Sequence, residues 1–382
     1  MIAINGSVWA KCPIRDEPCY GIVMNARSSD AATTRQPAPP PFEVLTTLFL
    51  AALGGGGAFL LGMPLPWLIG PMLVVALWTL SGRAAPLPDR LRLLAFLVVG
   101  ISIGAGVTPE TVRGFATWPL SLLGLILTVP LIVGAATLYL GRLGWDRRTA
   151  ILSSIPGALS AVLAIAMETG ADVRRVAIVQ STRLVALIVL IPSLITLFGD
   201  TDVDTSMGMA VAVPLTDPAY WGEIAILVPA SVVGGILLQR LRIPGGILFG
   251  AMIVSAVLHG GGWITYNLPA AALIPGMALV GAAIGGRFAG AGFADLAATG
   301  GHALVSLGLT LAVALGIALV VAEMLGLPFG QVLLAYAPGG LEAMTIMAFA
   351  LDLDPAFVAA HQVLRFLGIG LVLPFLFARL KG

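Results

Sequence analysis

The sequence predicts an all-α polytopic membrane protein, made of two homologous repeats of about five to six transmembrane segments each, with helices broken by proline and glycine. Three observations predict it: composition, the length of the apolar segments, and an internal repeat. Of the 382 residues, 58% are hydrophobic and only 10% charged, with a mean hydropathy of +1.02. Soluble domains carry roughly 25% charged residues, so this chain has too few charges to cover a water-facing surface. Its apolar stretches recur at lengths near the roughly 20 residues that cross a bilayer.

In order along the chain, residues 1–41 form a polar tail ending in Gln36-Pro37-Ala38-Pro39-Pro40-Pro41. It lacks the basic start and continuous apolar stretch of a secretory signal, and it is expected to be disordered. Membrane repeat 1 covers 42–199, with apolar segments near 43–62, 66–82, 92–108, 116–141, 149–168 and 174–198. An acidic linker, 200–218, carries Asp200, Asp202 and Asp204. Membrane repeat 2 covers 219–382, with segments near 219–239, 245–259, 270–289, 300–324, 328–351 and 356–378. Several segments are short and rich in glycine and proline, which suits broken or re-entrant helices.

The repeat is read from matched positions. An offset of 182 carries Pro156-Gly157 onto Pro338-Gly339, Asp172 onto Asp354, Gln180 onto Gln362, Arg183 onto Arg365 and Pro192 onto Pro374. Offsets of 180 and 181 carry Pro64, Gly70 and Met72 onto Pro244, Gly250 and Met252, and Gly100-x3-Gly104 onto Gly281-x3-Gly285. Duplicated membrane domains tend to build a pathway at the repeat interface from discontinuous helices. Parallel and inverted copies both remain open. The loops holding Arg83, Arg90, Arg92, Arg142, Arg147, Arg148, Arg240, Arg242 and Arg287 favour inversion. Arg113, Arg174 and Arg175 stand against it, and inversion requires an odd number of crossings per half.

Arg183 and Arg365 each lie about ten residues into an apolar helix, close to mid-membrane at 1.5 Å per residue. A charge there costs roughly 2.5–3.5 kcal/mol and faces the interior or a water-filled cavity. Two readings stand: the arginines pin helices by bonding carbonyls or Glu342, or they line a substrate path. Gln180 and Gln362 sit three residues earlier on the same helix faces, and His361 adds an imidazole near the second. Pro156-Gly157 and Pro338-Gly339-Gly340 interrupt apolar segments, because proline removes a donor and glycine frees the backbone. The half-helix after each break would turn its positive end toward the gap, where an anion is welcome. Ser160 and Glu342, repeat equivalents, follow the breaks; Glu342 reads as an arginine counter-ion or a proton carrier. The substrate-binding candidates are thus Arg183, Arg365, Gln180, Gln362, Glu342, Ser160 and His361. Asp172 and Asp354 read as helix caps, and the glycine runs as packing surfaces.

The segments Pro66-Trp67-Leu68-Ile69-Gly70-Pro71, Ser154-Ile155-Pro156-Gly157-Ala158 and Ala337-Pro338-Gly339-Gly340-Leu341-Glu342-Ala343-Met344, with the doubled Gln-x-x-Arg, resemble those of the AbrB-type duplicated membrane proteins of Gram-negative bacteria. The resemblance covers about 43–378. It implies an inner (cytoplasmic) membrane protein with an attributed role in regulating gene expression. It does not extend to the small soluble transition-state regulator AbrB, whose DNA-binding domain has no counterpart here. Members are also labelled ammonia monooxygenase, a chemistry that needs a redox metal, and the sequence offers no ligand cluster for one.

Three function classes are then compared. A secondary transporter or channel for a small anionic solute of the organic acid class fits the duplication, the breaks and the paired arginines. The alternative is a membrane-embedded regulator acting through a partner. An enzyme is not expected, since no nucleophile–base pair is legible. No metal or cofactor is expected: Cys12 and Cys19 lie in the tail, and His259, His302 and His361 are scattered. With a net charge of +1 and no basic tract, direct nucleic-acid binding is not expected. The expected partners are the lipid bilayer and the small anion, and the chain is compatible with a homo-oligomer.

Overall fold

The computed structural model describes residues 39–106, 118–157, 159–198, 217–241, 243 and 245–381. The expectations for the tail before residue 39 and for most of the acidic linker lie outside these residues. Among the described residues there are fourteen α-helices and no strand. The first seven are α1 (Pro41–Leu60), α2 (Pro66–Leu80), α3 (Asp89–Ala105), α4 (Trp118–Arg142), α5 (Arg147–Ser154), α6 (Leu159–Thr169) and α7 (Val173–Phe198). Their repeat equivalents, in the same order, are α8 (Pro218–Arg240), α9 (Gly246–Gly260), α10 (Ala270–Gly285), α11 (Phe293–Leu325), α12 (Phe329–Tyr336), α13 (Leu341–Ala350) and α14 (Pro355–Lys381). A 3-10 turn, Gly286–Phe288, extends α10.

Local chemistry starts these helices. Proline opens α1, α2 and α8, where a missing N–H costs nothing. Asp146 caps α5, its Oδ1 accepting from the N–H groups of Arg148 and Thr149 at 2.9 Å each. The repeat pair Asp172 and Asp354 does the same for α7 and α14. Seven helices, α1, α4, α7, α8, α10, α11 and α14, are long and apolar enough to cross a membrane. Their outer faces leave large apolar side chains bare, among them Leu60, Leu123, Ile226 and Val320, as a lipid-facing surface requires. The chain is therefore a multi-pass membrane protein.

Close glycine contacts set the relative directions of the helices. A Cβ on Gly100 would lie 2.4 Å from the Leu248 carbonyl oxygen, and one on Gly104 would lie 2.3 Å from that of Met252. Helices α3 and α9 therefore run parallel. The repeat-related contacts, Gly281 on Leu68 and Gly285 on Met72, make α10 and α2 parallel as well. Gly276 meets Ala95 and Val99, while the end of α10 reaches the region of Ala85 and Arg92. So α10 is antiparallel to α3, and α2 is antiparallel to its own repeat equivalent, α9. The two copies are inverted. Gly54 on Gly70 and Gly234 on Gly250 pair α1 with α2 and α8 with α9 in antiparallel fashion.

The short helices α5 and α6 do not cross. Arg148, at the start of α5, donates to the carbonyl of Thr169 at the end of α6, at 2.7 Å. Thr149 Oγ1 accepts from the N–H of Asp172 at 2.8 Å. The pair is a hairpin that enters and leaves on one side, with Pro156 at its tip. In the second repeat, Gly330 at the start of α12 lies against Leu353, just past α13. Each repeat thus holds five helices that alternate in direction and one re-entrant hairpin, the odd number that inversion requires. The segments near 149–168 and 328–351 are these hairpins.

The hairpin also removes the objection raised by Arg174 and Arg175. Because α6 returns to the side where α5 began, both residues share a face with Arg142, Arg147 and Arg148. Arg83, Arg240 and Arg287 lie at or just past the ends of helices pointing to that same face, and Arg90 and Arg92 start α3 there. Among the described residues no Lys or Arg stands on the opposite face, which carries Asp217, Glu223, Glu323, Asp352 and Asp354. Arg113 and Arg242 lie outside the described residues.

The helices pack as two bodies. One joins α1–α3 to α8–α10, and the other joins α4–α7 to α11–α14; contacts within each are dense and those between them sparse. Each body takes the same part of both repeats. Between them runs an apolar seam that includes Leu65, Leu68, Met72 and Leu248 on one side and Leu184, Leu187 and Met344 on the other.

Candidate functional site

Both hairpin tips lie against the middle of α7 inside the second body. A helix that stops inside a membrane leaves its last carbonyls without partners and without water. In α5 these include the carbonyls of Leu152, Ser153, Ser154 and Ile155. Gln180 Nε2 donates to Leu152 and Ile155 at 3.2 and 2.8 Å. Arg183 Nη2 donates to Ile155 at 2.9 Å, and Nη1 reaches Ser153 and Ser154 at 3.4 Å each. Gln180 Oε1 in turn accepts from Arg183 Nη2 at 2.5 Å. The second repeat builds the same cap. Gln362 Nε2 donates to Leu334 and Ala335 at 2.8 and 3.3 Å. Arg365 donates to Ala337 at 2.5 Å, to Gly339 at 2.7 Å and to its own Gln362.

All four side chains are buried, with Arg183 and Arg365 each 5% exposed. The guanidinium also sits at the negative end of a helix dipole, which offsets the cost of its burial. Spacing of three residues works because it puts amide and guanidinium on one helix face, aimed at the last turn of the neighbouring half-helix. Of the two readings of the arginines, carbonyl bonding is the contact the structure displays; Glu342 is not their partner.

At the tips, Gly157 adopts a φ of +80°, a left-handed turn that favours glycine, and Pro156 and Pro338 have no backbone N–H that needs an acceptor. Gly340 packs against Leu184, the neighbour of Arg183, and the two arginines lie within electrostatic range of each other. The amino ends of α6 and α13 open from these tips. Ser160 lies in the first turn of α6; its side chain is outside the described set.

His361 does not join the Arg365 face. Its Nδ1 is 2.8 Å from the Phe357 carbonyl oxygen and its Nε2 is 2.9 Å from Ser121 Oγ. Tyr336 donates its hydroxyl to the Ser121 carbonyl at 2.6 Å. This buried cluster fastens α12 and α14 to α4.

Glu342, in the first turn of α13, faces the other body. Its carboxylate is 4.0 Å from Arg287 of the 3-10 turn, and the side chains are 26% and 34% exposed. Arg92 of α3 lies within electrostatic range of both. The α8–α9 turn closes the place, Gly245 lying against Glu342 Cγ. This group is recessed. Met72 is level with Gly285 while α2 runs on to Leu80, so α10 ends about 12 Å below the end of α2. A matching offset of about 13 Å sets the start of α9 below that of α3. The segment after α10 lines this step, Phe288 packing with Leu80 near the end of α2.

Arg92 and Arg287 were not among the sequence candidates, since both read as ordinary loop charges. The available signal is a break in the repeat: at the offset of 181, Arg92 corresponds to Leu273 and Arg287 to Gly106. With Glu342 opposite Ser160, one tip region is charged and its twin is not.

The family comparison agrees with this architecture. The sequence profile described as "Transition state regulatory protein AbrB" matches residues 20–104 and 67–381. The chain belongs to the AbrB family. Among AbrB relatives, "Putative regulator AbrB" of Escherichia coli (strain K12) is 27% identical over 316 residues, covering 82% of this chain and 89% of that protein. "Uncharacterized protein YhjN" of Bacillus subtilis (strain 168) is 28% identical over 357 residues, covering 87% and 92%.

Proposed function

We propose that the protein is a secondary transporter that carries a small organic anion across the bacterial inner (cytoplasmic) membrane, with its arginine-rich face toward the cytoplasm. The observation that carries this reading is the pair of re-entrant hairpins entering from opposite faces, with both tips against the middle of α7, inside inverted repeats. Such an arrangement offers a mid-membrane site reachable from either side by symmetric rearrangement. Half-helix amino ends at the tips favour a negative charge. The sparse contact between the two bodies allows one to shift against the other. In this reading Gln180, Arg183, Gln362 and Arg365 position the tips, and Pro156, Gly157, Pro338, Gly339 and Gly340 shape them.

Purified protein in proteoliposomes, offered radiolabelled lactate, succinate and citrate, tests the proposal. Uptake above protein-free vesicles is expected for at least one of them. A folded protein that moves none of these anions overturns the reading.

A second reading, a membrane regulator acting through a soluble partner, is favoured by the name of the Escherichia coli relative. It predicts that a transport-dead variant still alters gene expression.

A further inference from the structure

We infer that Glu342 is the coupling proton carrier of a proton–carboxylate symporter, competing with the substrate for Arg287. The inference rests on the transport reading above and adds its coupling ion and its anion subsite. Four observations support it.

Glu342 belongs to the hairpin body, whereas Arg287 and Arg92 belong to the other, so the pair spans the seam. At 4.0 Å the pair is longer than a tight salt bridge, and its groups remain part-exposed. Arg92 is itself paired with Asp89 at 2.7 Å, so a proton on Glu342 leaves the Arg287 charge to be matched by an incoming anion. Guanidinium is also the group suited to two-pronged carboxylate binding. Finally, these charges are absent from the twin site, where Ser160, Gly106 and Leu273 correspond. A packing role common to both hairpins would not need them.

The cycle follows from charge balance. With Glu342 ionised, it holds Arg287 and ties the hairpin body to its neighbour. A proton arriving from the arginine-rich face neutralises Glu342 and releases Arg287. A substrate carboxylate then takes its place beside Arg287. Proton and anion travel together, and release of both restores the original pair. Among the described residues, the charged groups facing Glu342 are Arg287 after α10 and Arg92 on α3, the latter paired with Asp89; the α8–α9 turn sets Gly245 against it.

The test uses the same proteoliposomes with an inward proton gradient. One pH unit of gradient supports up to about tenfold accumulation of a singly charged anion carried with one proton. Wild type should accumulate the transported carboxylate, and a protonophore should abolish the accumulation. Glu342→Gln should lose gradient-driven accumulation, and its uptake should no longer vary with pH. Glu342→Asp, which keeps the titratable group, should retain both. Arg287→Gln should weaken anion affinity at least about tenfold, the loss of one charge-assisted contact. Gradient-driven accumulation that persists in Glu342→Gln overturns the inference and leaves the transport reading intact. So does wild-type uptake that ignores the gradient. Absence of any anion uptake by wild type overturns both.

Discussion

At the scale of residues, the Gln-x-x-Arg motif is a device for ending a helix where water is absent. Each copy brings amide and guanidinium hydrogens to carbonyls that otherwise face an apolar interior. An orphaned buried carbonyl costs about 1–3 kcal/mol, and one arginine serves two or three of them. Arg365→Met should therefore lower stability by several kcal/mol on that scale, read as a fall in the melting midpoint of the purified protein in detergent. Arg365→Lys should recover only part, because a point ammonium cannot reach carbonyls spaced for a planar fork. An unchanged midpoint in Arg365→Met would show that the carbonyls have other donors. The motif was legible as a polar anomaly in apolar helices, but its partners were not. Those partners lie 26 to 30 residues away, on the last turn of another half-helix.

At the scale of elements, helix pairs are held by backbone-to-backbone approach at glycine. Gly100 and Gly281, repeat equivalents, each face a carbonyl at a distance where no Cβ fits. Gly281→Ala would place its methyl 2.3 Å from the Leu68 carbonyl oxygen. It should cost about 1–3 kcal/mol by overpacking. Gly308→Ala, where no atom lies within 4 Å, should cost little beyond noise. Unfolding in increasing denaturing detergent compares the two, and equal effects would refute the close packing. The glycine pattern showed that helices approach closely. Which helix meets which was hidden, because a small residue carries no mark of its partner. The breaks at Pro156 and Pro338 were visible as well, but whether the chain continues or turns back depends on bonds such as Arg148 to Thr169.

At the scale of the whole molecule, inversion and the re-entrant hairpins make a joint prediction about sidedness. With Cys12 and Cys19 replaced by serine, single cysteines at Gly144 and Gly170 should label from one side of the membrane. Single cysteines at Leu327 and Asp352 should label from the other. A membrane-impermeant maleimide applied to intact cells and to inverted vesicles reads the result. Labelling of Gly144 and Gly170 from opposite sides would mean that α5 and α6 cross, and the hairpin topology would be wrong. The same topology gathers the described loop arginines on one face and gives the two-body split, with Glu342 and Arg287 meeting across the seam.

By itself the sequence determined that this protein lives in a membrane, that it is a duplication, and where its helices break, because hydropathy, repeat offset and proline are properties of the chain as written. Only the tertiary structure decided that the copies are inverted, that the broken segments turn back, and that Arg287 rather than Arg365 faces Glu342. Those outcomes depend on which carbonyls and charges come within a few ångströms of one another. That proximity is fixed by packing between segments far apart along the chain.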